Sequence, residues 1–257
     1  MVPEIGLGTW KYKGGPEPLR KGIELGATLI DTAEMYKTED AVGAAIKDRR
    51  DKVFLATKVL GSNLLRDAVL RAAEKSLRLL DDDVIDLYQI HWSNRSVPIA
   101  ETMGAMEELV DQGMVRYIGV SNFSVAEMKD AQQAMTKNPL VSNQVLYNLK
   151  RRDIEHDLIP YCVDNNVTVI AYTPLADGSL SGKSLYRPDK GGSVLEQVAQ
   201  ECGKSAAQVA LNWCLSRPNV IVIPKTNSVE RTVENCEASG WSLTPNQVST
   251  LDAAFPL

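Results

Sequence analysis

The chain alternates from end to end between short apolar runs and longer amphipathic stretches, and that rhythm leaves few folds open. The runs are Ile5–Gly8, Thr28–Asp31, Val53–Lys58, Val84–His91, Val115–Val120, Leu140–Gln144, Val167–Tyr172 and Val220–Ile223. Most are continuous in Val, Ile and Leu, as expected of parallel strands covered on both faces. Between 63 and 80, Val69, Ala72, Ala73, Ser76, Leu77 and Leu80 recur at helical spacing and mark a helix with one buried face. Ser124-x-x-Glu127, Ser193-x-x-Glu196 and Ser205-x-x-Gln208 have the capping-box pattern of helix starts. Thr244-Pro245-x-Gln247 adds proline at a first helical position. Strand followed by helix, eight times and without a linker, predicts one parallel α/β domain over residues 1–257.

Two architectures fit that pattern. A doubly wound sheet binding a dinucleotide would show a G-x-G-x-x-G turn after its first strand. Here Gly6-Leu7-Gly8-Thr9-Trp10-Lys11 lacks the third glycine, and no G-x-x-x-x-G-K-[ST] loop is present. The length of 257 residues matches the roughly 250 of a one-domain barrel. The prediction is a single (β/α)8 TIM barrel.

The net charge of −5 argues against nucleic acid or an anionic membrane as partner. No uninterrupted apolar run approaches the ~18 residues of a membrane span, and no leader precedes the first strand, so a cytoplasmic protein is expected. Cys162, Cys202, Cys214 and Cys236 form no C-x-x-C pair, so neither a zinc site nor a dithiol is suggested, and no metal is expected. Without an evident exposed apolar stripe, a monomer is the default.

In a barrel the chemistry comes from the C-terminal strand ends and the loops after them. The second run ends in Asp31, with Tyr36 five residues on; the third ends in Lys58 and the fourth in His91-Trp92. Reducing a carbonyl needs hydride at carbon and a proton at oxygen. A free tyrosine, with a pKa of about 10, is a weak acid. A neighbouring Lys58 ammonium would favour the phenolate, Asp31 would hold Lys58 charged, and His91 would bond the substrate oxygen. Taken singly, Lys58 reads as a structural charge and His91 as a structural histidine; together at successive strand ends they read as a site. Lys225-Thr226-Asn227-Ser228, at an apparent helix start with Arg231 one turn on, offers an anion site or an ordinary capped helix.

The segments GLGTW (6–10), LIDTAEMY (29–36), LATKV (55–59), DLYQIHW (86–92), GVSNF (119–123), SNQVLYN (142–148), AYTPLA (171–176) and IPKTNSVERTVEN (223–235) resemble, in order, those of the aldo-keto reductases. The resemblance covers practically the whole chain. It implies an NADP(H)-dependent reductase of small aldehydes and ketones, with Asp31, Tyr36, Lys58 and His91 as catalytic tetrad and Tyr36 as general acid. It also implies that Lys225, Thr226 and Arg231 hold the 2′-phosphate of NADPH, with Glu234 and Asn235 at the adenine. Ser121, Asn122 and Gln144 would meet the nicotinamide carboxamide, Tyr172 would stack on its ring, and Thr173 and Leu175 would lie along the cofactor. Trp10 and Trp92 would flank the substrate.

Ala176 stands where the family often has glycine. The hairpin that many members carry before the first strand and the longer C-terminal loop of narrow-specificity members are both missing from the pattern. That implies a less plugged barrel floor and an open, broadly specific site. The glycine-rich segment Asp177–Gly192 is either a loop folding over the pyrophosphate or a surface excursion. Competing readings are a cofactor-binding scaffold subunit on the same barrel, and an aldolase using Lys58 as a Schiff base. The aldolase needs an amine of low pKa, which Asp31 should oppose.

Overall fold

A computed structural model describes residues 2–182 and 190–257. Among them, eight parallel strands pair in chain order: β1 (Leu7–Gly8), β2 (Leu29–Asp31), β3 (Phe54–Val59), β4 (Ile85–Ile90), β5 (Val115–Ser121), β6 (Leu140–Leu146), β7 (Thr168–Tyr172) and β8 (Val220–Val222). All eight predicted strands are present, most with ends shifted by one or two residues. The sheet closes on itself. Gly6 N donates to Val222 O at 2.8 Å, Gly8 N donates to Pro224 O at 3.2 Å, and Ile5 bridges Val222. The result is a (β/α)8 barrel.

Helices α1 (Pro16–Glu24), α2 (Glu39–Ile46), α3 (Arg66–Leu80), α4 (Ile99–Asp111), α5 (Val125–Ala134) and α6 (Leu158–Asp164) each follow a strand. Between β7 and β8 lie α7 (Lys190–Cys202) and α8 (Ala206–Leu215); α9 (Val229–Cys236) and α10 (Pro245–Ala254) complete the chain. In α3 the buried residues are Val69, Ala72, Ala73, Ser76, Leu77 and Leu80, the face read from spacing. Ser124, Ser205 and Thr244 each make a reciprocal capping box. Ser193 does not. It lies inside α7, where its neighbours already supply helical backbone bonds, so the S-x-x-E pattern there marks no start.

Two apolar layers explain the continuous strands. Leu29, Ala56, Leu87, Ile170 and Ile223 pack together inside the barrel. Their strand neighbours Ile30, Leu55, Tyr88, Val169 and Val222 face the helices in the larger core. At the lower end, Phe54 stacks on Tyr117 with ring centroids 6.0 Å apart, so strand side chains cover part of the floor that the sequence pattern left open. Gly119 is required by contact: a Cβ there would meet Ser142 Oγ at 2.2 Å. No helix among the described residues is long and apolar enough to cross a membrane.

Candidate active site

The two-residue strand period that places Leu29, Ala56 and Ile170 inside the barrel also places the next residue but one on the same face. Those residues are Asp31, Lys58 and Tyr172, and β4 reaches His91 two periods after Leu87. A polar layer therefore caps the apolar interior at the C-terminal mouth. Lys58 is fully buried, and Asp31 and His91 are nearly so. The Lys58 ammonium donates to Asp31 Oδ1 and to Thr32 O, both at 2.8 Å, and to Tyr36 OH at 3.4 Å. Its three protons are thus directed at three acceptors. Tyr36 meets His91 edge-on with ring centroids 5.4 Å apart. The four residues of the sequence-derived tetrad meet at one place.

The electrostatics differ from the sequence expectation in two ways. Tyr36 is held above, not below, its ordinary value: burial penalises the phenolate, and the charge of Asp31 adds to that. Lys58 does not reverse this, because its charge is already matched by Asp31 at 2.8 Å. Lys58 itself is pushed down, not up. Burial outweighs the opposing pull of Asp31. A lowered lysine suits a Schiff-base amine, but this one has no exposed surface and all its protons engaged, so it offers a carbonyl carbon no approach. His91 is pushed down to about 3 by burial and by the Lys58 charge, so its imidazole is neutral near pH 7. A neutral ring carries one N–H to donate.

Gln144 Nε2 donates to Asp31 Oδ2 at 2.7 Å. A carboxylate has no proton to give, which fixes the orientation of the amide and leaves Oε1 as an acceptor. Ser121 Oγ donates to Gln144 O at 2.8 Å, Asn122 Nδ2 donates to His91 O and to Ser121 Oγ at 3.1 Å each, and Tyr172 OH donates to Asn122 Oδ1 at 3.0 Å. The polar residues of five strand ends form one chain of bonds.

A cleft of about 550 Å³ opens above this layer. Trp10 and Trp92 stand on its walls, each roughly half exposed. Trp10 packs against Tyr36 at 4.9 Å, and Trp92 stacks on His91 at 3.8 Å, with planes 12° apart. The cleft runs past Tyr172, Thr173 and Leu175 to Lys225 and Arg231. Lys11, Asn122, Thr173 and Asp177 on its rim, and Ala176 between the last two, all have left-handed backbones. For β-branched Thr173 that conformation is costly; Asn148 Nδ2 holds its carbonyl at 3.0 Å. Thr226, Glu234 and Asn235 are not brought to the cleft wall. Thr226 Oγ1 accepts from Ser228 N, Glu234 is half-buried, and Asn235 is buried in α9. Ser228 caps α9 through Arg231 N, as the sequence implied. Residues 183–189 of the glycine-rich segment lie outside the described residues.

Sequence reasoning missed Lys11, Lys13 and Met35. Met35 and Lys11 line the cleft. Lys13 N donates to Asn227 Oδ1 at 2.9 Å, which joins the loop after β1 to the loop after β8. Partial burial and the charges of Lys13 and Lys11 hold Lys225 below its usual value, so three ammonium groups share this end. Lys11 and Lys13 lie just past the C-terminal end of β1, on the same mouth, and that was the available signal.

The description "Aldo/keto reductase family" is that of the family model matching residues 4–255. The chain belongs to the aldo/keto reductase family. Methylglyoxal reductase YeaE of Escherichia coli is 40% identical, over 99% of this chain and 92% of its own length. A thermostable aldo-keto reductase solved with the inhibitor epalrestat has a TM-score of 0.91 at 40% identity, covering 98% of this chain and 95% of that one. An aldo-keto reductase of Klebsiella pneumoniae solved with NADPH has a TM-score of 0.90 at 38% identity, covering 99% and 92%.

Proposed function

We propose that this family member reduces small aldehydes and ketones with NADPH, and that Tyr36 donates the proton. One observation carries the reading: Tyr36, His91 and the buried Asp31–Lys58 pair meet on the floor of a single cleft whose far end gathers Lys225 and Arg231. The cleft suits the cofactor's chemistry. A cationic end with α9 starting beside it fits a phosphate, Tyr172 presents a half-buried ring, and Gln144 Oε1 is an acceptor for an amide N–H. When bound, NADPH supplies the hydride for the carbonyl carbon.

The chain's residues do the rest. Lys58 donates to the phenol oxygen, which leaves the phenol's own proton free to face the cleft. The neutral His91 imidazole orients the carbonyl oxygen by donating its one N–H. As the C=O π bond opens, the Tyr36 proton passes to that oxygen, and the phenolate oxygen left behind keeps the bond that Lys58 donates. Because burial and Asp31 keep Tyr36 protonated in the resting protein, the donor is loaded across the neutral range. Trp10, Met35 and Trp92 provide an apolar wall for the non-reacting part of a small substrate.

The reading is tested by following NADPH consumption against a panel of small aldehydes, 2-oxoaldehydes and ketones, with methylglyoxal first because the Escherichia coli relative carries that name. Turnover of at least one class is expected. Tight NADPH binding with no turnover across the panel would favour the scaffold reading instead.

A further inference from the structure

We infer that Glu34 is a positioning residue that aims the Tyr36 phenol, an inference that rests on the proposed role of Tyr36 as proton donor. Glu34 opens the short turn Glu34–Tyr36 that follows β2. It is not among the residues lining the cleft. Its carboxylate instead receives a set of donors from the next strand's loop. Leu60 N donates to Oε2 at 3.1 Å, and Asn63 Nδ2 donates to Oε1 at 3.0 Å and Oε2 at 3.1 Å. Lys75 of α3 stands 3.8 Å away, and the Glu34 side chain is only 11% exposed.

Every one of these partners carries protons, so the site needs an acceptor-only group, and a carboxylate is one. Leu60 is two residues past Lys58. The group that begins the Tyr36 turn is therefore fastened to the strand end that carries the ammonium. The bond it protects is long: Lys58 Nζ to Tyr36 OH is 3.4 Å, at the edge of a hydrogen bond. Tyr36 has little else to aim it. Its hydroxyl bonds Lys58, its ring touches Trp10 and His91, and its amide closes the turn on Ala33 O at 2.9 Å. The fastening continues around the rim, because Asn94 Nδ2 donates to Gly61 O at 3.1 Å, two residues beyond Trp92.

The test is a double-mutant cycle read as kcat for methylglyoxal reduction alongside NADPH affinity by fluorescence. Glu34→Ala is expected to lower kcat about 10-fold, since misplacement by a fraction of an ångström is costly at a reacting group, while NADPH affinity changes less than about two-fold. Added to Tyr36→Phe, the same substitution is expected to lower the residual rate no further, because no hydroxyl remains to be aimed. Asn63→Ala removes two of the bonds, keeps Leu60 N, and enters the same cycle if Glu34→Ala does not fold; an about three-fold loss is expected. Full kcat in the folded variant, or the same fold-loss in both backgrounds, would overturn the inference and leave Tyr36 in its role. A wild-type rate in Tyr36→Phe alone would remove the donor assignment, and this inference with it.

Discussion

Replacing Lys58 by methionine separates what the buried ion pair does for stability from what it does for chemistry. Methionine nearly conserves the volume but removes the ammonium, and Asp31 stays 2% exposed with Gln144 as its remaining side-chain donor. Removing one partner of a buried pair costs about 3–5 kcal/mol, because the other charge is left uncompensated. At about 2–4 °C per kcal/mol for a chain of this size, the midpoint should fall by about 10 °C. In Asp31→Asn/Lys58→Met neither charge of the pair remains, and most of the lost stability should return, since a neutral replacement of the whole pair is close to cost-free. Activity should not return, because nothing is left to stabilise the Tyr36 phenolate. Thermal unfolding by circular dichroism measures the first effect and NADPH consumption the second. A single variant as stable as the double one would refute the argument that the pair is fully desolvated.

Arg231→Ala should weaken NADPH about ten-fold or more and NADH little, given the 1.5–3 kcal/mol typical of a charge-assisted bond; equal losses in fluorescence titrations would mean Arg231 does not meet the 2′-phosphate. The pH profile of kcat/KM for reduction should show no inflection from His91 or Tyr36 between about pH 5 and 9: His91 lies near 3 and Tyr36 above its ordinary 10, so neither changes charge in that window. An inflection near 6.5 would show His91 titrating normally. Gly119→Ala should cost about 1–3 kcal/mol by overpacking, because its Cβ would sit 2.2 Å from Ser142 Oγ. Adding Ser142→Ala should recover part of that loss in chemical denaturation, and no recovery would place the clash elsewhere.

The barrel was legible because strand and helix impose different periods, and the α3 face from Val69 to Leu80 could be read residue by residue. The tetrad was legible for a related reason. A strand fixes which residues share a face, so Asp31 and Lys58 at adjacent strand ends had to approach each other. What lay in loops was harder. Lys13 is brought beside Lys225 by a bond from its backbone to Asn227, and Glu34 meets Asn63 across 29 residues of sequence. Neither distance leaves a periodic trace. The failed cap at Ser193 shows the limit of a local pattern whose boundary is set by neighbouring structure. The direction of the Tyr36 shift is not legible from spacing, which shows that Lys58 is near but not that Asp31 has already claimed its charge and that burial outweighs both.

In the proposed reaction the phenol of Tyr36 delivers a proton from the floor of the cleft. Single-turnover reduction of methylglyoxal by Tyr36→Phe, loaded with NADPH and compared with the wild type, tests this most directly. The expected result is unchanged NADPH affinity with the rate of the chemical step lower by about 10²–10⁴, the range for a lost general acid. A chemical step at the wild-type rate would contradict it.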